Sequence, residues 1–332
     1  MSKVNPTVKH SSMDDVVRLA GGAGLRAAKQ PNIQLLRRIT LANLLWEDCA
    51  YVDGKTISNE IARLVPLCEA KDVANLALEC RLVQKLRHTP LFIISEMCKY
   101  DEHRALVGSL LPKVITRADM ITDFLAIYWK EGKRPLANQV KKGLAESFHN
   151  FDEYQFAKYD RDAAIKLRDV MFLVHPKAND QQEQELFNRI AERNLKTPDT
   201  WEVALSAGAD KCETWTRLIN ERKLGAMALF RNLNNMKKAH VPMNTITNGI
   251  KNAKGGMLLP LDYLKASRMA PEFSSHIEEK MLDSYKYLPK LPGKTLFIVD
   301  VSGSMGCLTS SGTMFSRLDQ ACAMAMLAAN QC

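Results

Sequence analysis

The sequence has no run of about 18 consecutive apolar residues, which excludes a membrane-spanning helix. The opening Met1-Ser2-Lys3-Val4-Asn5-Pro6 lacks an apolar stretch behind its positive charge, so no secretory signal is expected. Its eight cysteines, at 49, 68, 80, 98, 212, 307, 322 and 332, form no C-x-x-C pair, which leaves a zinc ribbon or thioredoxin motif without support. Scattered cysteines in apolar surroundings fit buried thiols in a reducing cytoplasm. H-E-x-x-H and G-x-S-x-G are absent, and His88, His149 and His175 have no motif-level serine or cysteine partner, so no enzyme is expected. Gly54-Lys55-Thr56 and Gly293-Lys294-Thr295 resemble the end of a phosphate loop. The upstream glycine that loop needs is replaced by Cys49 and Leu288. Gly22-Ala23-Gly24 has no convincing strand before it and reads as a flexible turn rather than a dinucleotide fingerprint.

Acidic residues are missing from one long stretch. Between Arg222 and Leu261 there is no Asp or Glu, while Arg222, Lys223, Arg231, Lys237, Lys238, Lys251 and Lys254 place a charge of +7 there. Residues 1–38 carry a further +5, so with a net charge of +9 the remainder is slightly acidic. Basic excess concentrated in segments is the footprint of a polyanionic partner, with a solvated basic surface as the plain alternative. The 332 residues, 46% hydrophobic and 25% charged, have the composition of a globular protein of about two domains or one repeat array.

What is present is helical periodicity. Leu35, Ile39, Ala42 and Trp46 recur at helical spacing, as do Ile57, Ile61, Leu64 and Cys68 behind Thr56. Thr89-Pro90 and Thr197-Pro198 have the form of a cap followed by proline in the first turn. Helices of about 10–16 residues between short polar turns suggest stacked helical hairpins of the HEAT type, although no strict sequence period occurs. The fold expected is therefore mainly α, a helical-repeat solenoid over residues 1–290. Past the breaker Leu288-Pro289-Lys290-Leu291-Pro292-Gly293 the pattern changes. Thr295-Leu296-Phe297-Ile298-Val299-Asp300 predicts a buried strand, residues 301–312 a Ser/Gly-rich loop, and Phe315 to Asn330 a helix, the opening unit of an α/β domain over 291–332.

Three clusters could carry chemistry. Asp300, Ser302 and Ser304 form a D-x-S-x-S loop whose hard oxygen donors suit Mg²⁺ in an incomplete shell. In the acid-free stretch, 224–238 predicts a helix with Ala226, Leu229, Phe230, Leu233 and Met236 on its apolar side. Arg231, Asn234 and Lys238 share another face, with Asn235 and Lys237 beside them. Arg and Lys contact phosphates and Asn bonds base edges, so this face is a nucleic-acid candidate. A second basic region, 130–177, contains Lys141, Lys142, Lys158, Arg161, Lys166, Arg168, His175 and Lys177, interleaved with Tyr154, Phe156 and Tyr159. Aromatics in that setting stack on unpaired bases or belong to the core; for Phe156 the core is the better reading.

Leu86-Arg87-His88-Thr89-Pro90-Leu91, the segment Met227–Met236, and the segment from Leu291 to Met305 resemble, in that order along the chain, the TROVE family, named for telomerase, Ro and vault proteins. The likeness runs from about residue 12 to the end and is strongest to bacterial and phage relatives of the Ro autoantigen. It implies a ring of HEAT-like repeats closed by a von Willebrand factor A domain. It also implies binding of small Y-type noncoding RNAs on the outer surface and of single-stranded ends of misfolded RNAs in the central hole. Lys158-Tyr159 with Arg161, and His175-Pro176-Lys177, match parts of the family's Y-RNA surface, whereas Leu167 stands near a position where the family has histidine. Of the A domain only the first strand, metal loop and first helix are represented. The expected partners are therefore small noncoding RNA and single-stranded RNA ends, with an exoribonuclease or a chain supplying the other A-domain strands beside them. A helical protein-interaction module acting through the metal loop is the alternative.

Overall fold

The computed structural model describes residues 17–18, 24–25, 31–42, 54–160, 162–255, 258–288, 290–291, 293–308, 314–329 and 331–332. Two compact units divide at Thr197 and Pro198. The expected boundary at 290/291 falls inside the second of them.

The first unit begins with two short antiparallel strands, β1 (Val17–Arg18) and β2 (Gly24–Leu25). Ten α-helices follow among the described residues: α1 (Asn32–Ala42), α2 (Gly54–Leu64), α3 (Ala70–Leu78), α4 (His88–Met97), α5 (Asp101–Val114), α6 (Asp119–Tyr128), α7 (Asn138–Ser147), α8 (Glu153–Tyr159), α9 (Leu167–Val174) and α10 (Gln181–Glu192). Helix packing alternates. α2, α4 and α6 form one row, α3, α5 and α7 another, and α9 packs on both α6 and α7. This is the pattern that stacked hairpins produce, each burying a stripe its neighbour supplies. α4 lies innermost, with every residue from Thr89 to Met97 buried, as expected of a helix apolar on most of its circumference. α5 and α7 meet where Gly143 leaves room: a Cβ there would lie 2.9 Å from Leu111 Cβ and 3.1 Å from the Gly108 carbonyl.

The second unit repeats the alternation with α11 (Trp201–Ser206), α12 (Lys211–Asn220), α13 (Ala226–Lys238), α14 (Met243–Asn252), α15 (Pro260–Met269), α16 (Ser274–Tyr285) and α17 (Arg317–Ala329). α12, α14 and α16 form one row and α13, α15 and α17 the other, around Trp215, Phe230, Tyr263 and Phe273.

The helical-repeat expectation holds. The strand expected over 295–300 does not form among the described residues. That segment is extended but has no ladder partner, and Leu296 and Ile298 are 83% and 87% exposed. An apolar run records a capacity for burial between sheet neighbours; without neighbours the backbone groups bond water instead. The loop and helix after it do form, with a 3₁₀ turn at Gly303–Gly306 and α17 docked on α15. The thiols divide likewise. Cys68, Cys80 and Cys98 are buried, whereas Cys307, Cys322 and Cys332 are exposed, against the expectation of general burial.

Candidate nucleic-acid interface

Helix α13 orders the strongest basic face. Leu229, Phe230, Leu233 and Met236 are buried, which turns Arg231, Lys237 and Lys238 outward and leaves Asn234 half-buried. Asn232, inside, is satisfied locally: its amide donates to the Ala228 carbonyl at 2.9 Å, and its oxygen accepts from Asn235 at 2.8 Å. The cations are not equivalent. Lys237 is held by Glu272 at 2.7 Å, and Lys223 by Glu221 and Asp199 at 2.8 and 3.0 Å. Arg231 and Lys238 have no ion pair among the described residues, so an incoming phosphate displaces nothing at either.

In the first unit, Lys141 and Lys142 are exposed on α7, which packs against α9. Lys158, in the last turn of α8, places its ammonium 5.7 Å from the ring centre of Tyr154 and 5.8 Å from that of Tyr159. Lys166 is paired with Asp162 at 2.7 Å, and the Arg168 guanidinium lies 5.4 Å from the Phe172 ring centre. His175 ends α9 in the left-handed conformation, φ 49°, and is exposed, as is Lys177. Phe156 is fully buried, a core residue as expected. Arg161 lies outside the described residues.

A polar network beside these residues escaped the sequence reading. Arg87 donates to Asp119 at 2.7 Å and to Asp123 at 2.6 and 3.0 Å. Arg117 donates to Asp119 at 2.7 and 3.2 Å while its guanidinium stacks 4.7 Å from the Tyr159 ring centre. Burial, then the neighbouring Arg117 and Arg87, hold Arg81 below the usual guanidinium value, and burial lowers His88. Next to the network is a cavity of 150 Å³. The i, i+4 spacing of Asp119 and Asp123 was the signal available; what the sequence could not supply was Arg87, thirty-two residues away.

The D-x-S-x-S loop is formed and exposed. The Ser302 amide donates to Asp300 Oδ1 at 2.8 Å, and the Ser302 and Ser304 hydroxyls lie 3.1 Å apart. Donation from the Ser302 amide, then from its hydroxyl, holds the Asp300 carboxyl below its ordinary value. One ionised carboxylate with two converging hydroxyls fits the hard-donor chemistry of Mg²⁺.

Residues 189–254, which include all of α13, match the family model of the TROVE domain. Over that segment the chain is similar to the TROVE family. Among solved structures the chain is similar to the crystal structure of the Deinococcus radiodurans Ro (RSR) protein, with a TM-score of 0.64 and 19% identity, over 90% of this chain and 73% of that one. At that identity the likeness is one of fold, and it agrees with the alternating helical rows. No curated protein matches the chain.

Proposed function

We propose that this chain is a TROVE-family protein that binds RNA, and that it does so through the α13 face. The observation that carries the reading is the exposed pair Arg231 and Lys238, unpaired among the described residues and flanking Asn234 in an acid-free stretch inside the TROVE-matched segment. Arg and Lys neutralise phosphates, and Asn supplies a base-edge donor and acceptor. Its ligands are small noncoding RNAs of the Y type, bound with help from Lys158, Arg168, His175 and Lys177, and the single-stranded ends of misfolded RNAs. The protein acts as a non-enzymatic ribonucleoprotein scaffold in RNA quality control, in the cytoplasm. No described helix is long and apolar enough to cross a membrane.

The test is fluorescence anisotropy with a small structured RNA and a single-stranded RNA across a salt series. On a single strand log K falls by roughly 0.7 per phosphate neutralised, per decade of salt. Exchanging Arg231 and Lys238 together for alanine is expected to weaken binding and to reduce that slope by about 1.4. An unchanged slope would remove α13 from the interface, and a flat salt response in the unaltered protein would remove RNA binding itself.

One observation favours a second reading, a protein-interaction module or one half of a split Ro-like assembly. The exposed metal loop is preceded by an extended, unpartnered apolar segment. Mg²⁺ held by Asp300, Ser302 and Ser304 would then present an open coordination position to a partner's carboxylate. Asp300→Ala should abolish Mg²⁺-dependent capture of that partner in a pull-down while RNA affinity survives.

A further inference from the structure

The 150 Å³ cavity of the first unit is lined by groups that the surrounding network does not use. Its walls include Arg87, Asp119, Asp123, Phe156, Tyr159 and Asp160. Asp119 accepts from the arginines described above at both oxygens and Asp123 at Oδ2. Asp160 lines the same cavity, and its carboxylate has neither hydrogen bond nor ion pair among the described residues. Burial pushes this carboxyl up, against the pull of Arg193 and Lys166. An unpaired, half-buried carboxylate is costly unless something donates to it. Arg87 directs Nε and Nη2 at the two aspartates, which leaves Nη1 unused among the described residues. An acceptor and a donor without partners among the described residues thus line one cavity, with Phe156 and Tyr159 among its walls.

Size and pattern together select a ligand. A cavity of about this volume admits a benzene-sized ring, so a single six-membered ring enters and a fused purine does not. Cytosine presents an exocyclic amino donor beside ring acceptors, and carboxylates accept from that amino group. Uracil offers a carbonyl at the same corner, which would face the carboxylate with like polarity. We infer that this cavity is a base pocket that takes an unpaired cytosine from bound RNA, Asp160 accepting from its amino group and Arg87 donating to its ring acceptors. The inference rests on the RNA-binding reading and adds to it a base preference located in the first unit.

The experiment compares a short single-stranded oligouridylate with the same strand carrying cytosines, by anisotropy at fixed salt. The cytosine strand is expected to bind about tenfold tighter. Asp160→Asn, an isosteric change at a side chain without a bond among the described residues, should collapse the ratio to near unity while oligouridylate still binds. Ala163→Met, which fills the cavity from an exposed lining position, should do the same by a different route. Equal binding of the two strands by the unaltered protein overturns the base pocket and leaves RNA binding standing. A preference that survives both substitutions also overturns it. Failure of both strands to bind overturns the RNA-binding reading and the pocket with it.

Discussion

Asp319 shows how much a single half-buried carboxylate can be asked to do. It accepts from Arg268 at 2.5 Å and from both the amide and the hydroxyl of Ser316 at 2.9 Å, so it joins α17 to α15 and caps α17 at once. The Arg268 bond, then the two from Ser316, lower its carboxyl to about 2 from an ordinary value of 3.8. A depressed folded value means that the stabilisation is fully present above 3.8 and is lost as the pH falls through about 2. In acid titration followed by circular dichroism, the unaltered protein should therefore lose helicity more steeply between those values than Asp319→Asn. Identical profiles would mean that solvent screens the pair completely, the common fate of surface ion pairs.

Among the elements, the α5–α7 contact is the most exacting. Gly143→Ala introduces a methyl 2.9 Å from Leu111 Cβ and 3.0 Å from its Cδ1, inside a contact between two buried helices. Helix propensity alone would favour alanine by up to about 1 kcal/mol, whereas overpacking a close contact costs about 1–3 kcal/mol. Because the clash involves a Cβ and a backbone carbonyl, which cannot swing aside, net destabilisation is expected, read as a lower urea midpoint. A raised midpoint would show that the two helices can part without loss.

Element by element, the helices were legible in the sequence because their signal is local. The stripe Leu229, Phe230, Leu233 and Met236 is buried as its spacing requires, and so is that of Ile57, Ile61 and Leu64. Boundaries were less legible where cap signals compete. Thr197-Pro198 has the form of a helix start, yet Thr200 caps α11 by accepting from the Val203 amide at 3.3 Å, three residues later. The segment 295–300 shows what local pattern cannot contain, since a strand is completed by chain elsewhere. The candidate interface divides the same way. Basic residues and their helical faces were readable, but the Lys237–Glu272 pair joins residues far apart in sequence, and so does the Arg87 network. It was this remote pairing that separated Arg231 and Lys238 from their neighbours.

For the molecule as a whole, the distribution of apolar surface matters more than its amount. Each unit buries a continuous core, and the aromatic pair Trp201–Trp215, ring centres 5.3 Å apart, belongs to the second. The extended segment adds no buried residue to the core of its own unit: Leu296, Ile298 and Val301 are 83%, 87% and 74% exposed. Unpaired backbone with apolar side chains is a template for pairing with another chain. It adds to association and little to stability. Replacing Leu296 and Ile298 together by lysine is therefore expected to change the free energy of unfolding by no more than about 0.5 kcal/mol, as at other exposed positions. The same change should suppress concentration-dependent self-association in sedimentation velocity. Trp215→Ala provides the scale, since emptying a site 1% exposed should cost about 3–5 kcal/mol. If the double lysine variant instead loses stability on that scale, the segment is packed in solution and its apolar side chains belong to the fold. If stability holds and association falls, they are a contact surface, and the metal loop they lead into lies beside it in the chain.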